Sequence, residues 1–244
     1  MRKEPFTIGS FVHVYNRGNR KQPIVCDTND RWRFLQMLYY FNSEFSPPNI
    51  FRELRSLRKP ESDSYSDFYN GLVWPENWPA RKPIVKIISF SLLNNHFHLL
   101  LKEIREGGIT MFMRKIGTGM TNYFNAKYQE KGRLFQGSYK ARRADNDAYL
   151  KYLSVYIQVK NPFELYSGSI KKAVKNFDKA FDFAIANPYC SLAAYTGDRG
   201  SAIIEKDILG EMFSDPYEYK NFARECILGM NLEETIHHLI EDAF

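Results

Sequence analysis

The 244-residue chain has little of several features that mark specialised classes of protein. Its three cysteines, Cys26, Cys190 and Cys226, are odd in number and far apart, which argues against a disulfide-stabilised secreted fold. The longest apolar runs, such as residues 87–93, are far shorter than the roughly 20 residues that a membrane-spanning helix needs. Basic residues near the N-terminus are followed by no apolar stretch of signal-peptide length. We therefore expect a cytoplasmic protein with reduced thiols.

The composition also lacks the biases of disordered, collagenous and coiled-coil chains. Hydrophobic residues make up 44% and charged residues 25%, both close to the averages of soluble globular proteins. The sequence contains no internal repeat and no low-complexity segment. A chain of this length can bury a substantial core without disulfides or metals, so we expect a globular fold.

Positive charge is concentrated in one stretch of the sequence. The chain has a formal net charge of +6, and residues 110–143 alone contain eight basic residues and one acidic residue. Six aromatic residues alternate with these charges: Phe112, Tyr123, Phe124, Tyr128, Phe135 and Tyr139. This combination suits neutralisation of phosphates and stacking of bases. Solvated basic faces over an aromatic core would give the same composition, so both interpretations stay open.

The spacing of apolar residues predicts a mixture of strands and helices. In chain order, we predict a strand at 8–15, a helix at about 29–45, strands at 84–93 and 96–102 joined by a turn at Asn94-Asn95, a helix at 110–127, a strand at 134–144 and a helix from 147 that Asn161-Pro162 closes. Residues 46–83 show no clear periodicity and are interpreted as an insertion, with a possible short helix at 50–57. This order predicts an α+β fold in which helices pack on an antiparallel sheet. Residues 166–244 are predicted to be a mainly helical extension, with one or two helices at 215–240.

His96 and His98 are the sharpest chemical signal in the sequence. In a strand, residues i and i+2 point to the same face, so both imidazoles can reach one metal ion. No cysteine lies near them in sequence, which disfavours a thiolate-rich zinc site. Two imidazoles and an oxygen ligand suit Mg²⁺ or Mn²⁺ in a partly open site. Two half-buried, hydrogen-bonded histidines remain the alternative.

Three tyrosines form a second signal on the predicted helix after residue 147. Tyr149, Tyr152 and Tyr156 are spaced three and four apart and therefore lie on one helical face. Such a row commonly fills a core. It can also present a phenol that attacks phosphorus and holds the product covalently.

Five motifs in order give the chain a resemblance to a known family. They are FVHVYNRG at 11–18, NHFHLL at 95–100, GRLFQGSYK at 132–140, the segment from Tyr149-Leu150 to Tyr156-Ile157, and Asn161-Pro162. In this respect the sequence resembles the single-tyrosine HUH transposases, in particular the REP-associated tyrosine transposases, which are relatives of the smallest single-strand insertion-sequence transposases. The resemblance covers residues 8 to about 165. It implies an RRM/ferredoxin-like antiparallel sheet, with helices on one or both faces, in a catalytic domain at 1–165 that contains the insertion at 46–83.

The resemblance also implies the roles of individual residues. His96 and His98 match the histidines that bind a divalent metal, and Tyr156 matches the tyrosine that attacks a single-stranded DNA phosphate. Family members usually have Tyr-Ile-x-x-Asn-Pro, whereas this chain has one residue more between Tyr156 and Asn161. A polar residue four positions after the tyrosine often completes the metal site. Lys160 stands at that position here, and a protonated lysine cannot ligate, so we predict Asn161 as the third ligand and keep Gln158 as an alternative.

The first hypothesis is therefore a transposase that uses Mg²⁺ or Mn²⁺ to cleave and rejoin single-stranded DNA, with Tyr152 as the fallback nucleophile if the extra residue shifts the helix register. The expected partner is single-stranded DNA that bears a hairpin, bound by a monomer or homodimer. The predicted DNA-binding residues are Arg17, Arg114, Lys115, Lys127, Arg133, Lys140, Arg142 and Arg143. A second hypothesis is a catalytically inactive nucleic-acid-binding protein of the same fold, and a third is a metal-independent structural or RNA-binding protein.

Overall fold

A four-stranded antiparallel sheet forms the centre of the molecule. The computed structural model describes residues 6–53, 71–166, 170–197 and 200–229. The strands are β1 (Phe11–Arg17), β2 (Val85–Leu92), β3 (His96–Glu103) and β4 (Lys140–Arg143), and their order across the sheet is β2-β3-β1-β4. The predicted α+β class, with helices packed on an antiparallel sheet, is confirmed.

Ten α-helices surround this sheet in the described ranges. Their bounds are α1 (Thr28–Tyr40), α2 (Ile50–Glu53), α3 (Gly108–Tyr128), α4 (Asp147–Val155), α5 (Asn161–Phe163), α6 (Ile170–Lys175), α7 (Phe177–Ala186), α8 (Leu192–Thr196), α9 (Asp207–Met212) and α10 (Pro216–Leu228). A π-helical turn, Tyr156–Lys160, joins α4 to α5, and a 3₁₀ turn, Asn19–Lys21, follows β1. The expected helical character of the region after residue 166 is thus confirmed within the described residues.

The end of β1 depends on a glycine. A Cβ atom at Gly18 would lie 2.0 Å from the carbonyl oxygen of Gln22, so no larger residue fits there without movement of the backbone. The Gly18 N–H donates to the Asn95 carbonyl oxygen at 2.8 Å. This contact places the turn after β1 against the β2–β3 turn, at the edge of the sheet where His96 begins β3.

The two faces of the sheet pack against different sets of helices. Val12, Val14, Phe97, Leu99 and Leu101 belong to one apolar cluster that includes residues of α1 and α3. The other face contributes Ile88 and Leu100 to a second cluster, which contains α4, the π-helical turn and the helices from α6 onward. Helices thus cover both faces. The residues after 166 share a core with α4.

Ion pairs of Asp207 connect α9 to the sheet. The Asp207 carboxylate accepts hydrogen bonds from Lys86 Nζ on β2 and from Lys102 Nζ on β3, both at 2.8 Å. Burial alone would raise the pKa of Asp207, but the hydrogen bonds from Lys102 and Lys86 outweigh it and bring the pKa to about 2. The carboxylate is therefore charged at neutral pH and holds the later helices against the sheet edge.

Several predicted boundaries are wrong. The strand predicted at 8–15 begins at Phe11 and continues to Arg17. The strand predicted at 134–144 is confined to β4. Residues 134–136 bond to the end of β1 and to the turn after it, but only through an isolated bridge between Gly18 and Phe135. Leu134 O accepts from Asn19 N–H, and Gln136 N–H donates to Arg17 O. The helix predicted at 29–45 ends at Tyr40. Two residues later, the Asn42 side chain bonds the backbone of Ile84 and Val85 and draws the chain away from the helix.

Other expectations lie partly outside the described residues. The short helix predicted at 50–57 is present as α2, and residues 54–57 are outside the described ranges. The helical prediction for 215–240 is met by α10, while residues 230–240 are likewise not described. Within the described ranges, no helix combines the length and the apolar character needed to cross a membrane.

Candidate active site on the histidine face

The strand register places the conspicuous polar residues on one face of the sheet. Tyr15 of β1 and Ser91 of β2 both pair directly with His98 of β3, so the three side chains form a row across the sheet. His13 lies two residues before Tyr15, and His96 lies two residues before His98. We call this side of the sheet the histidine face. Its residues near the site are His13, Tyr15, Arg17, Ser91, His96 and His98.

The three histidines are close to one another. The ring centroids of His96 and His98 are 5.2 Å apart, with the rings nearly perpendicular. The His13 and His98 rings are stacked at 5.1 Å, and His13 Nε2 lies 2.9 Å from His98 Nδ1. His96 Nδ1 lies 2.7 Å from Asn95 Oδ1. The predicted pair, His96 and His98, is therefore accompanied by a third imidazole that the sequence analysis assigned no role.

Burial keeps these imidazoles neutral. His13 and His98 are each 3% exposed, whereas His96 is partly exposed. Loss of solvation lowers the pKa of His13 to about 3, helped by the positive charge of Arg142. It lowers the pKa of His96 to about 4, where Arg17 and Lys160 act in the same direction and Glu164 opposes them. The pKa of His98 is also far below its ordinary value, first through burial and then through His13 and His96. All three are neutral at pH 7, which metal ligation by imidazole requires.

Tyr156 lies against the same histidines. Its ring centroid is 5.3 Å from that of His98 and 6.2 Å from that of His13, with edge-to-face geometry in both contacts. Among the described residues, none makes a hydrogen bond with the Tyr156 hydroxyl. Burial raises the pKa of Tyr156 well above the ordinary value for a phenol, and the nearby Glu164 adds to the effect. A phenolate here would need a positive charge beside it.

The extra residue between Tyr156 and Asn161 forms the π-helical turn Tyr156–Lys160. The Asn161 N–H donates to the Tyr156 carbonyl oxygen, five residues back rather than four. A single-residue insertion into an α-helix commonly produces such a turn, and these turns are frequent at functional sites. The insertion is thus absorbed locally, and the helix continues to Phe163 with both Tyr156 and Asn161 buried. Pro162 does not close the helix as predicted, because it occupies the first turn of α5, where a proline is tolerated.

Asn161 carries a buried oxygen without a partner in the described part of the chain. Its Nδ2 donates to Ser91 Oγ at 3.0 Å, and Ser91 is the residue directly opposite His98. Its Oδ1 atom is buried and accepts no hydrogen bond. Most buried polar atoms are satisfied, and this oxygen is one of several in the described residues that are not. A cation would satisfy it.

The two other residues near this position are engaged elsewhere. Gln158 is fully buried, accepts from Ser191 Oγ and donates to the Tyr219 hydroxyl, so its amide bonds to the later helices. Lys160 pairs with Glu164 at 2.5 Å, and its ammonium lies 5.0 Å from the centre of the Tyr156 ring. Within the described ranges, no three His, Cys, Asp or Glu side chains are arranged to hold a metal. A third protein ligand would therefore be of another type, such as the amide of Asn161.

Tyr152 and Tyr149 are placed differently from Tyr156. The Tyr152 ring packs on Phe222 of α10, with centroids 5.6 Å apart, among the later helices. Tyr149 is partly buried, and the Arg142 guanidinium lies 6.0 Å from its ring centre. Tyr156 is thus the member of the predicted row whose ring contacts His98.

The predicted DNA-binding residues fall into distinct groups. Lys115 Nζ donates to the Ser43 carbonyl oxygen at 2.9 Å, beyond the end of α1. Lys127 pairs with Asp27 and with the buried Asp30. Arg143 pairs with Asp145 at 3.1 Å and faces away from the histidine face, because it is paired with Val12. These three side chains are already engaged by protein groups.

The remaining basic residues lie in several places. Lys140 and Arg142 pair with Tyr15 and His13, so they extend the histidine face across β4, and both are exposed. Arg17 pairs with His96 at the open edge of the site. Arg133 is exposed in the loop before β4, and Arg114 is exposed on α3, which packs on the opposite face of the sheet. The basic stretch of the sequence is therefore not one continuous surface.

Several residues near the site were given no role from the sequence, among them His13 and Glu164. His13 alternates with Tyr15 and Arg17 along β1, so the same two-residue periodicity that selected His96 and His98 could have found it. Glu164 lies close enough to His96 and Tyr156 to influence the pKa of both. It follows Tyr156 by eight residues, and the sequence offers no signal for it.

A family model matches a part of the chain that contains several of the motifs. No curated protein matches the chain. A solved structure described as a REP-associated tyrosine transposase bound to a REP hairpin is similar at a TM-score of 0.40 and 13% sequence identity, over 68% of this chain and 73% of that one. Residues 79–160, about a third of the chain, match the family model described as "Transposase IS200 like", a match that supports a function related to DNA transposition. This stretch contains β2, β3 and Tyr156, and the predicted resemblance to single-strand insertion-sequence transposases is confirmed there.

Proposed function

We propose that the protein cleaves and rejoins single-stranded DNA, with Tyr156 as the nucleophile and a 5′-phosphotyrosine link as the intermediate. The observation that carries the proposal is the contact of Tyr156 with His98, since it brings a phenol to a neutral imidazole of the predicted pair. The match of residues 79–160 to IS200-like transposases supports the same chemistry.

His96, His98 and Asn161 would hold a divalent cation, Mg²⁺ or Mn²⁺. The Asn161 Oδ1 atom, which has no partner among the described residues, supports this assignment. Asn161 bonds to Ser91, which pairs with His98 across the sheet, and an amide oxygen with neutral imidazoles is a donor set that such a cation can use. When bound, the cation supplies positive charge that polarises a non-bridging phosphate oxygen and lowers the free energy of the phenolate.

The residues of this chain perform the substitution at phosphorus. The Tyr156 oxygen forms a bond to phosphorus and gives up its proton to solvent. The bond from phosphorus to the 3′ oxygen breaks, and that oxygen takes a proton and leaves as a 3′-OH. Tyr156 then holds the 5′ phosphate. Because the phosphodiester energy is kept in the tyrosine link, a 3′-OH can reverse the step and join strands without ATP.

The charges around the site support entry of a polyanion from the His96 edge. His96 is the partly exposed histidine, and Arg17 and Lys160 are the cations that act on its pKa. Lys140 and Arg142 continue the positive charge across β4. We propose single-stranded DNA that bears a hairpin as the substrate, in keeping with the family that the sequence resembles.

The two ends of a labelled oligonucleotide test this mechanism. A single strand carrying a hairpin is labelled at its 3′ end in one sample and at its 5′ end in another, and both are incubated with Mn²⁺. The 3′ label should become attached to the protein, because it lies on the fragment that carries the new 5′ phosphate, and the 5′ label should be released. EDTA should abolish both products. Tyr156→Phe should lower adduct formation by at least about 10³-fold, while Tyr152→Phe keeps it within a few-fold.

Other outcomes would change the assignment. If Tyr152→Phe loses the adduct and Tyr156→Phe keeps it, the nucleophile is Tyr152. If the wild-type protein binds the strand but forms no adduct with any divalent cation, the protein is a nucleic-acid-binding protein of the same fold.

A further inference from the structure

His13 makes a contact that the proposed chemistry does not yet use. Its Nε2 lies 2.9 Å from His98 Nδ1, and both side chains are buried within the sheet layer. The corresponding nitrogen of His96, Nδ1, lies 2.7 Å from Asn95 Oδ1. Each candidate metal-binding imidazole is therefore engaged at Nδ1, which leaves Nε2 as its second ring nitrogen.

The partner of His96 defines its tautomer. Asn95 Nδ2 donates to the Lys21 carbonyl oxygen at 3.1 Å, which orients the amide so that Oδ1 faces His96. An amide oxygen only accepts, so His96 donates through Nδ1–H and keeps the lone pair on Nε2. A neutral imidazole has one N–H, and its other nitrogen is free to bind a cation.

The partner of His98 is an imidazole, which can either donate or accept. If His13 donates, the His98 proton is on Nε2, and that nitrogen cannot bind a cation. If His13 accepts, the His98 proton is on Nδ1, and Nε2 has a free lone pair. Only the second arrangement gives both histidines of the predicted pair the same tautomer.

We propose that His13 is a positioning residue that accepts the hydrogen bond from His98 Nδ1–H and so keeps His98 Nε2 free to bind a divalent cation. His13 itself then carries its proton on Nδ1. A hydrogen-bond partner on the distal nitrogen of a metal-binding histidine fixes the tautomer and orientation of the ring, and its loss commonly lowers metal affinity 10- to 100-fold. The inference rests on the proposed function only in taking His98 as a metal ligand.

The tautomer can be read directly in metal-free protein. Nitrogen-15 NMR at pH 7.5 distinguishes a protonated from an unprotonated ring nitrogen, and His98 should carry its proton on Nδ1 in the wild type. His13→Gln offers an amide oxygen that can also accept, so it should preserve this tautomer. His13→Leu offers no acceptor, and His98 should then move toward the tautomer protonated at Nε2. Circular dichroism and thermal unfolding show whether each variant is folded.

Metal affinity provides the second measurement and needs no DNA. Titration with Mn²⁺, followed by electron paramagnetic resonance, should show a 10- to 100-fold weaker affinity for His13→Leu and an affinity within about threefold of wild type for His13→Gln. Equal loss in both variants would overturn the positioning role, because it would indicate that the imidazole itself is needed. An unchanged His98 tautomer in His13→Leu would overturn it as well. Neither measurement uses Tyr156→Phe. Failure of the positioning role of His13 can therefore be distinguished from failure of Tyr156 as the nucleophile.

Discussion

The two faces of the central sheet are made from alternate residues of the same strands, yet they differ in almost every property. On one face, Phe97, Leu99 and Leu101 of β3 pack into an apolar cluster with α1 and α3. On the other, His98 of the same strand contacts both His96 and Tyr156. A two-residue periodicity therefore lets one strand supply both the core and the candidate site.

Two buried polar groups, one on each side of the sheet, differ in how well they are satisfied. Beside the apolar face, the buried Asp30 accepts hydrogen bonds from Tyr123, Lys127, Tyr128 and the Cys26 N–H. Above the histidine face, Asn161 Oδ1 is buried and has no partner among the described residues. An unsatisfied buried oxygen is unfavourable for folding, and it is tolerated where the rest of the structure stabilises the fold. Asp30 thus contributes to stability through its hydrogen bonds, whereas Asn161 lies on the side of the sheet where chemistry is expected.

The largest effect on stability should come from the apolar face. Phe97 is 1% exposed, and its ring lies 5.2 Å from that of Phe34 and 5.8 Å from that of Phe135. Phe97→Ala should lower the free energy of unfolding by about 4 kcal/mol, since it removes buried surface and leaves a cavity. Urea unfolding measures this. At urea concentrations below the unfolding transition, the variant should still bind Mn²⁺. Loss of Mn²⁺ binding in the folded variant would show that metal binding on the histidine face depends on packing on the apolar face.

Replacement of His98, next to Phe97 in sequence, should affect Mn²⁺ binding more than stability. His98→Ala removes one hydrogen bond, to His13, and should lower the free energy of unfolding by about 2 kcal/mol, less than Phe97→Ala. Its Mn²⁺ affinity should fall by at least about 100-fold, because a ligand is lost rather than a partner of a ligand. Calorimetric titration of the folded variant measures the affinity. An unchanged affinity would exclude His98 from the metal site.

The sequence predicted the histidine pair from local periodicity and the tyrosine from the order of the family motifs. His96 and His98 needed only the two-residue repeat of a strand, and Tyr156 needed the motif order. The π-helical turn could not be predicted from periodicity, since one extra residue can be absorbed in several ways and the choice depends on packing around Asn161. Lys127 bonds to Asp27 and Asp30, which lie about 100 positions earlier in the sequence. The distribution of charge along the sequence does not reveal such a contact.

The charge of Asp30, beside the apolar face, should make the free energy of unfolding depend on pH. Burial alone would raise the pKa of Asp30, but hydrogen bonds from Lys127, Tyr128, Cys26 and Tyr123 outweigh it and lower the pKa from its ordinary 3.8 to about 2. A depressed carboxyl pKa stabilises the fold above about pH 4, and this contribution of about 2 kcal/mol is lost as the pH falls toward 2. Asp30→Asn should therefore be less stable than wild type at pH 7, and the difference should shrink between pH 4 and 2. Urea unfolding across this range measures it, and a constant difference would contradict the assignment.

The smallest effect concerns the charges on β4, where neighbouring arginines point to opposite faces. Arg142 is paired with His13 and lies on the histidine face, whereas Arg143 is paired with Val12 and bonds to Asp145. Each phosphate contact contributes roughly 0.7 to the slope of log affinity against log salt for a single strand. Arg142→Gln should therefore reduce the slope by about 0.7, and the matched control Arg143→Gln, with the same change of charge on the same strand, should leave it nearly unchanged. Fluorescence anisotropy of a labelled single strand between 50 and 500 mM salt, with EDTA present to prevent cleavage, measures both slopes. If the two variants reduce the slope equally, the DNA does not distinguish the two faces of β4, and its path over the protein cannot be confined to the histidine face.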